Sequence, residues 1–328
     1  MMMPWVILPI NRALMNKTKS TILLPVTAML LFWALTPISI AWIKHDFSLI
    51  FQIWVRYVIS TTVLWLFLLA GKSLRHNLNI FMKARAYFLK TLSVTAFCTI
   101  MFQLLYTWCF FLIPPGFGIL LYQSQVIFSV LLGILFFKTE RQLISKPGTV
   151  AGIVMALGGA SLVIIFQNHG FTAVLNTGII LALTGALSWS LVGLTVKKWI
   201  GDKLTPLFTV TIVFTLVSIF LTPALFFSGP LLTGNPGVIK WSVLIGSGLL
   251  GIAGGQGLYY YLLPQLGIIT ASSVQLLVPF FTGIFSFLLF GERITLLQLI
   301  GGLLLLGGCR IVLLQKQKFL VRSDTDSS

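Results

Sequence analysis

Two glutamine–tyrosine pairs interrupt long apolar stretches of this sequence. Gln103 and Tyr106 are three positions apart, so they would share one face of a helix, and Gln256 repeats that spacing with Tyr259. Polar side chains in hydrocarbon are costly without partners, so both faces should point into a helix bundle or a water-filled cavity. Their amide and phenol groups could bind a small molecule. The alternative is that they join neighbouring helices by hydrogen bonds.

Further polar residues lie within predicted helices. Gln123 and Gln275 could supply amide groups to a ligand or hold helices together, and Tyr122 and Gln125 are candidates of the same kind. Arg56 is the one charge well inside a predicted helix. It could bind the carboxylate or phosphate of a substrate. Alternatively, its long side chain could extend to the membrane surface.

Tryptophan and proline mark further candidate positions. Trp33 precedes Pro37 in the first predicted helix, and Trp189 is its counterpart in the second half. Both tryptophans are candidates for a binding cavity, although tryptophans near helix ends are commonly interfacial anchors. Proline removes a backbone donor and kinks a helix, so Pro37 and Pro279 are predicted hinges.

Chemistry beyond binding is not indicated. Acidic residues and histidines all fall in loops, at helix ends or in the tail, namely Asp46, Glu140, Asp202, Glu292, Asp324, Asp326, His45, His76 and His169. Catalysis would need a buried cluster of such groups, and Cys98, Cys109 and Cys309 lack metal-ligand spacing. We predict no enzyme, no cofactor and no metal site. Without an ionisable relay in the membrane, a facilitator or exchanger driven by the cargo gradient is favoured.

The composition is that of a membrane protein. Apolar residues make up 57% of the chain and charged residues 9%, with a mean hydropathy of +1.01. Soluble domains carry roughly a quarter charged residues. The net charge of +16 is explained by membrane topology, so nucleic acid is not a predicted partner. The expected partners are the lipid bilayer and a small-molecule substrate, and a monomer is plausible.

Ten segments can supply the roughly 20 apolar residues that a membrane helix needs. They run over residues 21–43, 48–70, 87–111, 117–137, 148–166, 177–196, 206–227, 241–263, 268–290 and 295–314. Residues 1–20 are predicted to be a cytoplasmic segment without a cleavable signal, and residues 317–328 a cytoplasmic tail. The fold class is an all-α polytopic membrane protein.

The basic residues predict the orientation of these helices. With the amino terminus inside, 18 of the 22 Lys and Arg residues face the cytoplasm, while Lys44, Lys240 and Arg293 fall outside. This predicts a multi-pass protein of the inner membrane with both termini cytoplasmic.

The run from Gln103 to Gly159 resembles the run from Gln256 to Gly308. The repeat distance is about half the chain, which predicts two five-helix repeats, residues 21–166 and 177–316. An odd number of helices per repeat inverts the second relative to the first. Inverted repeats can exchange inward-open and outward-open shapes around a central site, which favours a transporter.

Small residues recur every four positions in two predicted helices. Gly148 and Gly152 lie in the fifth, and Ser247, Gly251 and Gly255 in the eighth. This spacing predicts close contact between helices. The same glycines could let the eighth helix flex beside Gln256.

The closing segment of the chain contains Glu292-Arg293-Ile294-Thr295, Gln298, Gly301 and Gly307-Gly308, and a weaker first copy is found in Glu140-Arg141, Gly152 and Gly158-Gly159. These motifs resemble the EamA-type domain of the drug/metabolite transporter superfamily. Lys138-Thr139 stands where the second copy has Phe290-Gly291, so the first helix-end turn could differ. The resemblance implies ten helices, a cavity between the halves, and cargo such as amino acids, nucleosides, S-adenosylmethionine or drugs.

We therefore expect a carrier, a facilitator or exchanger, that moves a small amphipathic metabolite by alternating access. Amino acids or their derivatives are the favoured cargo, and an S-adenosylmethionine-like cargo is a further candidate. A drug or nucleoside exporter and a lipid flippase are the alternatives within the superfamily. A membrane-embedded transferase is the alternative from another class.

Overall fold

The chain forms a bundle of apolar helices. The computed structural model describes residues 12–71, 73–136, 146–166, 173–201, 203–266 and 274–325. Apart from one isolated bridge between Phe47 and Leu232, the regular structure of these residues is helical. Nine segments within them are long and apolar enough to cross a membrane. The prediction of a polytopic helical membrane protein is confirmed.

The helices are α1 (Arg12–Ile43), α2 (Leu49–Ala70), α3 (Leu74–Lys83), α4 (Arg85–Leu112), α5 (Pro115–Tyr122), α6 (Gln125–Phe136), α7 (Pro147–Ile165), α8 (Ala173–Thr195), α9 (Pro206–Phe227), α10 (Val238–Gly246), α11 (Gly255–Leu266), α12 (Val278–Phe290) and α13 (Leu296–Thr325). Two π-helical segments continue this order: π1 (Val196–Ile200) extends α8, and π2 (Ser247–Gly254) joins α10 to α11.

The predicted membrane spans correspond to these helices, except that the ninth span is described only in part. The ninth predicted segment is represented by α12, an apolar helix of 13 residues, while residues 267–273 lie outside the described parts. The count of ten therefore remains a prediction. Predictions for residues 1–11, Asp202, His169, Glu140, Arg141 and residues 326–328 also lie outside the described residues.

Helix α3 was not predicted. It connects α2 to α4 and is amphipathic, with Asn77 buried and most of its other residues exposed. The Asn77 Oδ1 atom accepts a hydrogen bond of 2.9 Å from the backbone nitrogen of Thr205, at the start of α9. Thr205 in turn caps that helix, since its hydroxyl accepts from the Phe208 nitrogen, and Pro206 occupies the first turn. The connection before α4 therefore fixes the start of α9.

Helices of the two halves pack in reciprocal pairs. The contact of α4 with α8 has its counterpart in the contact of α1 with π2 and α11. In the same way, the contact of α2 with π2 has its counterpart in the contact of α9 with α4. Helices α5 and α6 pack on α8, while α12 packs on α1. The pairs α2 with α9 and α7 with α13 join corresponding helices directly, and α5 packs on α12. Two halves related by a pseudo-twofold axis would pack in this way, and the division into two five-helix repeats stays a prediction.

Glycines allow α7 and α13 to touch backbone to backbone. A β-carbon at Gly152 would lie 2.9 Å from the Gly308 oxygen, and one at Gly301 would lie 2.9 Å from the Gly159 oxygen. Real β-carbons essentially never approach other atoms so closely, so glycine is required at these positions. The two contacts are each other's counterparts under exchange of the halves.

One end of the bundle is tied together by its loops. Lys240 Nζ forms a salt bridge of 2.6 Å with Asp46 Oδ2, and the Ser48 nitrogen donates to the Leu231 oxygen at 2.9 Å. At the same end, Lys44 Nζ donates to the oxygen of Phe111, near the end of α4, at 3.0 Å. These contacts join the α1–α2 loop to both the α9–α10 loop and α4.

Candidate functional site

A cavity lies at the centre of the bundle. Its volume is about 100 Å³. The cavity therefore has room for several waters or a small solute, since one water needs about 10–15 Å³. Its wall consists of Trp33, Thr36, Tyr57, Phe102, Gln103, Tyr106, Ile119, Tyr122, Gln123, Gln125, Trp189, Phe214, Gly251, Ile252, Gln256, Gln275 and Val278. Both halves of the chain contribute to it.

Most of the residues singled out in the sequence meet at this cavity. Gln103, Tyr106, Gln123, Gln256, Gln275, Trp33 and Trp189 are all wall residues, as are the additional candidates Tyr122 and Gln125. Tyr259 is not in the wall. Its ring packs on that of Trp33, with centroids 5.6 Å apart, so it supports a wall residue from behind.

Arg56 also lies behind the wall and does not reach the membrane surface. It is 0% exposed, and its Nη2 atom donates a hydrogen bond of 3.2 Å to Gln103 Oε1. Its backbone packs against π2, where a β-carbon at Gly248 would lie 3.1 Å from the Arg56 oxygen. The alternative in which this side chain extends to the surface is wrong for this structure, because α4 and π2 enclose it.

Two helices break at the cavity. Helix α5 ends at Tyr122, and the turn of Gln123 and Ser124 separates it from α6. In the second half, a short helical stretch containing Gln275 ends at a turn directly before α12. Relative to the breaks, Gln275 therefore corresponds to Tyr122. A broken helix leaves backbone groups without helical partners, which suits polar contact with a ligand.

Glutamine side chains at the first break retain unused hydrogen-bonding capacity. The Oε1 atoms of Gln123 and Gln125 are buried and have no hydrogen-bond partner among the described residues. The Gln125 backbone is fixed, because the Ser190 hydroxyl donates to its oxygen at 2.9 Å. Buried polar atoms are usually paired, so these oxygens are candidates for contact with a ligand or water.

The segment directly before α11, the helix that carries Gln256, is wound more widely than an α-helix. π2 runs directly into α11, one residue before Gln256, and contributes Gly251 and Ile252 to the wall. A β-carbon at Gly251 would lie 2.5 Å from the Thr36 hydroxyl oxygen, so this row of small residues packs closely on α1, as predicted. π-Helical turns inside α-helices frequently occur at functional sites.

The predicted hinges lie beside the same cavity. Pro37 is inside α1, which continues without a break, and the carbonyl of Trp33 loses its usual intrahelical donor there. Pro279 lies in the first turn of α12, where proline is well tolerated. Hinge motion at either position remains a prediction.

Aromatic rings fill one side of the wall. The Phe102 ring lies 4.8 Å from that of Trp189 and 5.3 Å from that of Tyr106, and Tyr106 lies 5.1 Å from Tyr122 between centroids. Phe102, together with Tyr57, Phe214 and Thr36, was not identified from the sequence. Phe102 and Tyr57 directly adjoin Gln103 and Arg56, which was the available signal. The cavity thus combines aromatic faces with amide groups.

Glu292 lies outside the cavity wall and binds the start of α5. Its Oε2 atom accepts from the Gly116 nitrogen at 2.9 Å and its Oε1 atom from the Phe117 nitrogen at 2.8 Å. The Ser286 hydroxyl donates to the same carboxylate. A carboxylate at a helix amino terminus satisfies unpaired N–H groups and complements the helix dipole. Glu292 therefore stabilises the start of α5, and the preceding Gly291, with a left-handed φ of 67°, ends α12.

Among the described residues that form the wall, none is a carboxylate or a histidine. No group of three or more His, Cys, Asp or Glu residues that could hold a metal ion occurs in the part of the chain that the structure describes. The described side chains can therefore donate and accept hydrogen bonds and stack on apolar groups. They offer binding chemistry.

Comparison with known proteins identifies the second half of the chain. Residues 176–314 match the EamA-like transporter family. An uncharacterized transporter of Haemophilus influenzae is 28% identical over 192 residues, which is 58% of this chain and 63% of that protein. The match thus spans less than two thirds of the relative's length. Both descriptions are of transporters, and the resemblance to an EamA-type domain is confirmed.

A solved crystal structure shares the architecture. It matches 90% of this chain and 98% of its own, with a TM-score of 0.60 and 15% sequence identity. At this identity the likeness concerns the fold.

Proposed function

We propose that the protein, whose residues 176–314 match the EamA-like transporter family, carries a small amphipathic metabolite across the membrane by alternating access. The observation that carries this proposal is the central cavity, whose wall draws matched glutamines from both halves, Gln103 and Gln256. Amino acids and their derivatives fit this description. Gln123, Gln275 and Tyr106 would hold polar groups of the cargo.

The aromatic wall would hold the apolar part of the cargo. Trp33 and Trp189 come from corresponding helices, α1 and α8, and reach the cavity from the two halves. Their rings offer large rigid faces at low conformational cost. Tyr259 supports Trp33 through ring contact. A cargo with both polar and aromatic or aliphatic surface therefore matches the groups present.

Alternating access requires a bundle that can open at either end. The reciprocal packing of the halves supplies two equivalent sets of interfaces. The breaks between α5 and α6 and before α12, and the wide turns of π2, lie at the cavity itself. The bridge between Asp46 and Lys240 and the Glu292 contacts with α5 would close the outer end. These contacts must separate for cargo to enter or leave there.

Orientation completes the proposal. In this proposal the protein lies in the inner membrane with both termini in the cytoplasm and with Lys44 and Lys240 outside, and the distribution of basic residues supports this orientation. Because no described wall residue is acidic or a histidine, the wall offers no proton relay, so the carrier would be a facilitator or exchanger.

Proteoliposome uptake tests the function. Purified protein is reconstituted and supplied with a panel of radiolabelled amino acids, nucleosides and S-adenosylmethionine, with and without a pH gradient. We expect at least one cargo to accumulate by exchange at a rate independent of that gradient. Gln103→Ala and Gln256→Ala should each abolish its uptake without loss of folded protein.

A matched control separates the cavity from general damage. Ser188 adjoins Trp189 but is not a wall residue, and its hydroxyl donates to the Thr184 oxygen of its own helix at 2.9 Å. Ser188→Ala should therefore transport normally. Equal uptake by the wild type and both glutamine variants would remove the cavity from the transport path, and strong dependence on the pH gradient would contradict the uncoupled mechanism.

A further inference from the structure

We infer that the cargo presents a carboxylate to the amide nitrogen of Gln103, and that the buried Arg56 is the positioning residue that makes this side of the cavity selective for anions. The inference rests on the proposed function, since it names the chemical class of the cargo at the same cavity. It concerns a residue that the cargo need not touch.

The first step is the orientation of the Gln103 amide. A guanidinium group has five N–H donors and no acceptor, so the atom that Gln103 turns toward Arg56 must be its oxygen. The distance of 3.2 Å between Arg56 Nη2 and Gln103 Oε1 agrees with this. With its oxygen engaged, Gln103 offers its amide nitrogen, a donor of two hydrogen bonds. This wall position therefore favours a hydrogen-bond acceptor on the cargo.

The second step is charge. Arg56 is fully buried, and its Nε and Nη1 atoms have no hydrogen-bond partner among the described residues. Asp46 pairs with Lys240, and Glu292 is occupied by α5 and Ser286. An uncompensated buried cation is costly, so an anion arriving next to Gln103 gains electrostatic energy that a neutral group does not. An ammonium at the same place would be repelled.

The third step compares α2 with the corresponding helix of the second half, which has no counterpart of Arg56. Helix α9 corresponds to α2, and its sequence contains no charged residue. Gln256 thus has no arginine on the corresponding helix, although it faces the same cavity as Gln103. Among the described residues the cavity is therefore polarised: the side made by α2 and α4 carries a positive field from Arg56, whereas α9 contributes no charge. The aromatic faces of Trp33, Phe102 and Trp189 complete a site for a carboxylate attached to an apolar or aromatic body.

Four probes that differ only in their polar end test this selectivity. They are 3-phenylpropionate, its primary amide, 3-phenylpropylamine and L-phenylalanine, each measured for uptake into proteoliposomes and for thermal stabilisation of the purified protein. We expect the propionate and phenylalanine, which carry carboxylates, to bind and move, and the amide and the amine to do so at least about tenfold less well. A hydrogen bond to a charged group is worth roughly that factor or more.

Substitutions at Arg56 separate charge from packing. Arg56→Gln should lower carboxylate uptake by about 10- to 100-fold and leave amide uptake within about twofold of wild type. Its folding should not suffer, because the substitution removes an unpaired buried charge. Arg56→Lys keeps the charge and should retain the preference for the carboxylate over the amide. Loss of uptake for all four probes alike in Arg56→Gln would mean that Arg56 is merely structural.

Gln103→Glu gives a second, independent readout. The new carboxylate would pair with Arg56, so the protein should remain as stable as wild type, while the preference shifts from the carboxylate to the amine. Gln256→Glu is the matched control: its carboxylate has no arginine on the corresponding helix, so the melting temperature should fall. A Gln103→Glu protein that still prefers the carboxylate overturns the inference.

The outcomes also distinguish the inference from the proposed function. If the amide or the amine moves as fast as the carboxylate, transport stands and anion selectivity fails. If the carboxylate stabilises the wild-type protein and is not taken up, recognition stands and transport fails. If none of the four probes is bound or moved, both are rejected for cargo of this class.

Discussion

Helices α7 and α13 meet through glycine, and Gly159 provides the sharpest test of that packing. A β-carbon at Gly159 would lie 2.5 Å from the Gly301 oxygen and nearer still to the backbone nitrogen of Leu305. Ordinary contact begins near 3.4 Å, so alanine would force the two helices apart by about 1 Å. Both obstructing atoms belong to the backbone, so no rotation of a side chain can relieve the clash.

The energetic cost follows from two effects. Overpacking of this kind costs about 1–3 kcal/mol, and a gap of about 1 Å also forfeits up to roughly half of the dispersion energy of neighbouring contacts. We expect Gly159→Ala to lower the free energy of unfolding by about 3 kcal/mol and the melting temperature by roughly 5–10 °C. Thermal denaturation in detergent, followed by size-exclusion chromatography of the surviving protein, measures this shift.

Two other glycines of the same interface region calibrate the result. Gly158 is adjacent in sequence, but a β-carbon there would have no other atom within 4 Å, so Gly158→Ala should melt with the wild type. At Gly307, a β-carbon would meet only the terminal methyl group of Met155, which can move aside, so Gly307→Ala should be intermediate. Equal melting temperatures for the Gly158 and Gly159 variants would refute this account of helix packing.

Two further predictions concern the Glu292 contacts and the membrane topology. Glu292→Ala should lower the free energy of unfolding by about 3 kcal/mol, because the carboxylate accepts hydrogen bonds from the Gly116 and Phe117 nitrogens. Glu292→Gln should lower it less, and thermal melting of both variants measures the difference. In a cysteine-free background, Lys240→Cys should react with an impermeant maleimide in intact cells, whereas Lys203→Cys should react only after the cells are permeabilised. Labelling of both positions from the same side would contradict the proposed topology.

Much of the candidate site could be predicted from the sequence because of where polar residues are tolerated. In an apolar chain, a glutamine within a membrane helix must face other protein or water, so residue type alone indicates its direction. This reasoning identified Gln103, Gln256 and Gln275, which the structure brings to one cavity. Phe102 and Phe214 lie in the same wall, but phenylalanine is equally suited to lipid, to the core and to a ligand. For Phe102 the available sequence signal was its position next to Gln103, and for Phe214 there was none.

Amino-acid composition and the spacing of apolar residues thus determined that this is a polytopic helical membrane protein, because a bilayer admits only helices or closed barrels and the apolar runs have helix length. The tertiary structure decided what the isolated polar residues contact. It placed Arg56 behind Gln103 rather than in the wall, and it brought Glu292 to the start of α5, far away in sequence. Such pairings depend on how helices pack across the bundle, and packing is set by the complementary shapes of whole helix surfaces rather than by any local pattern.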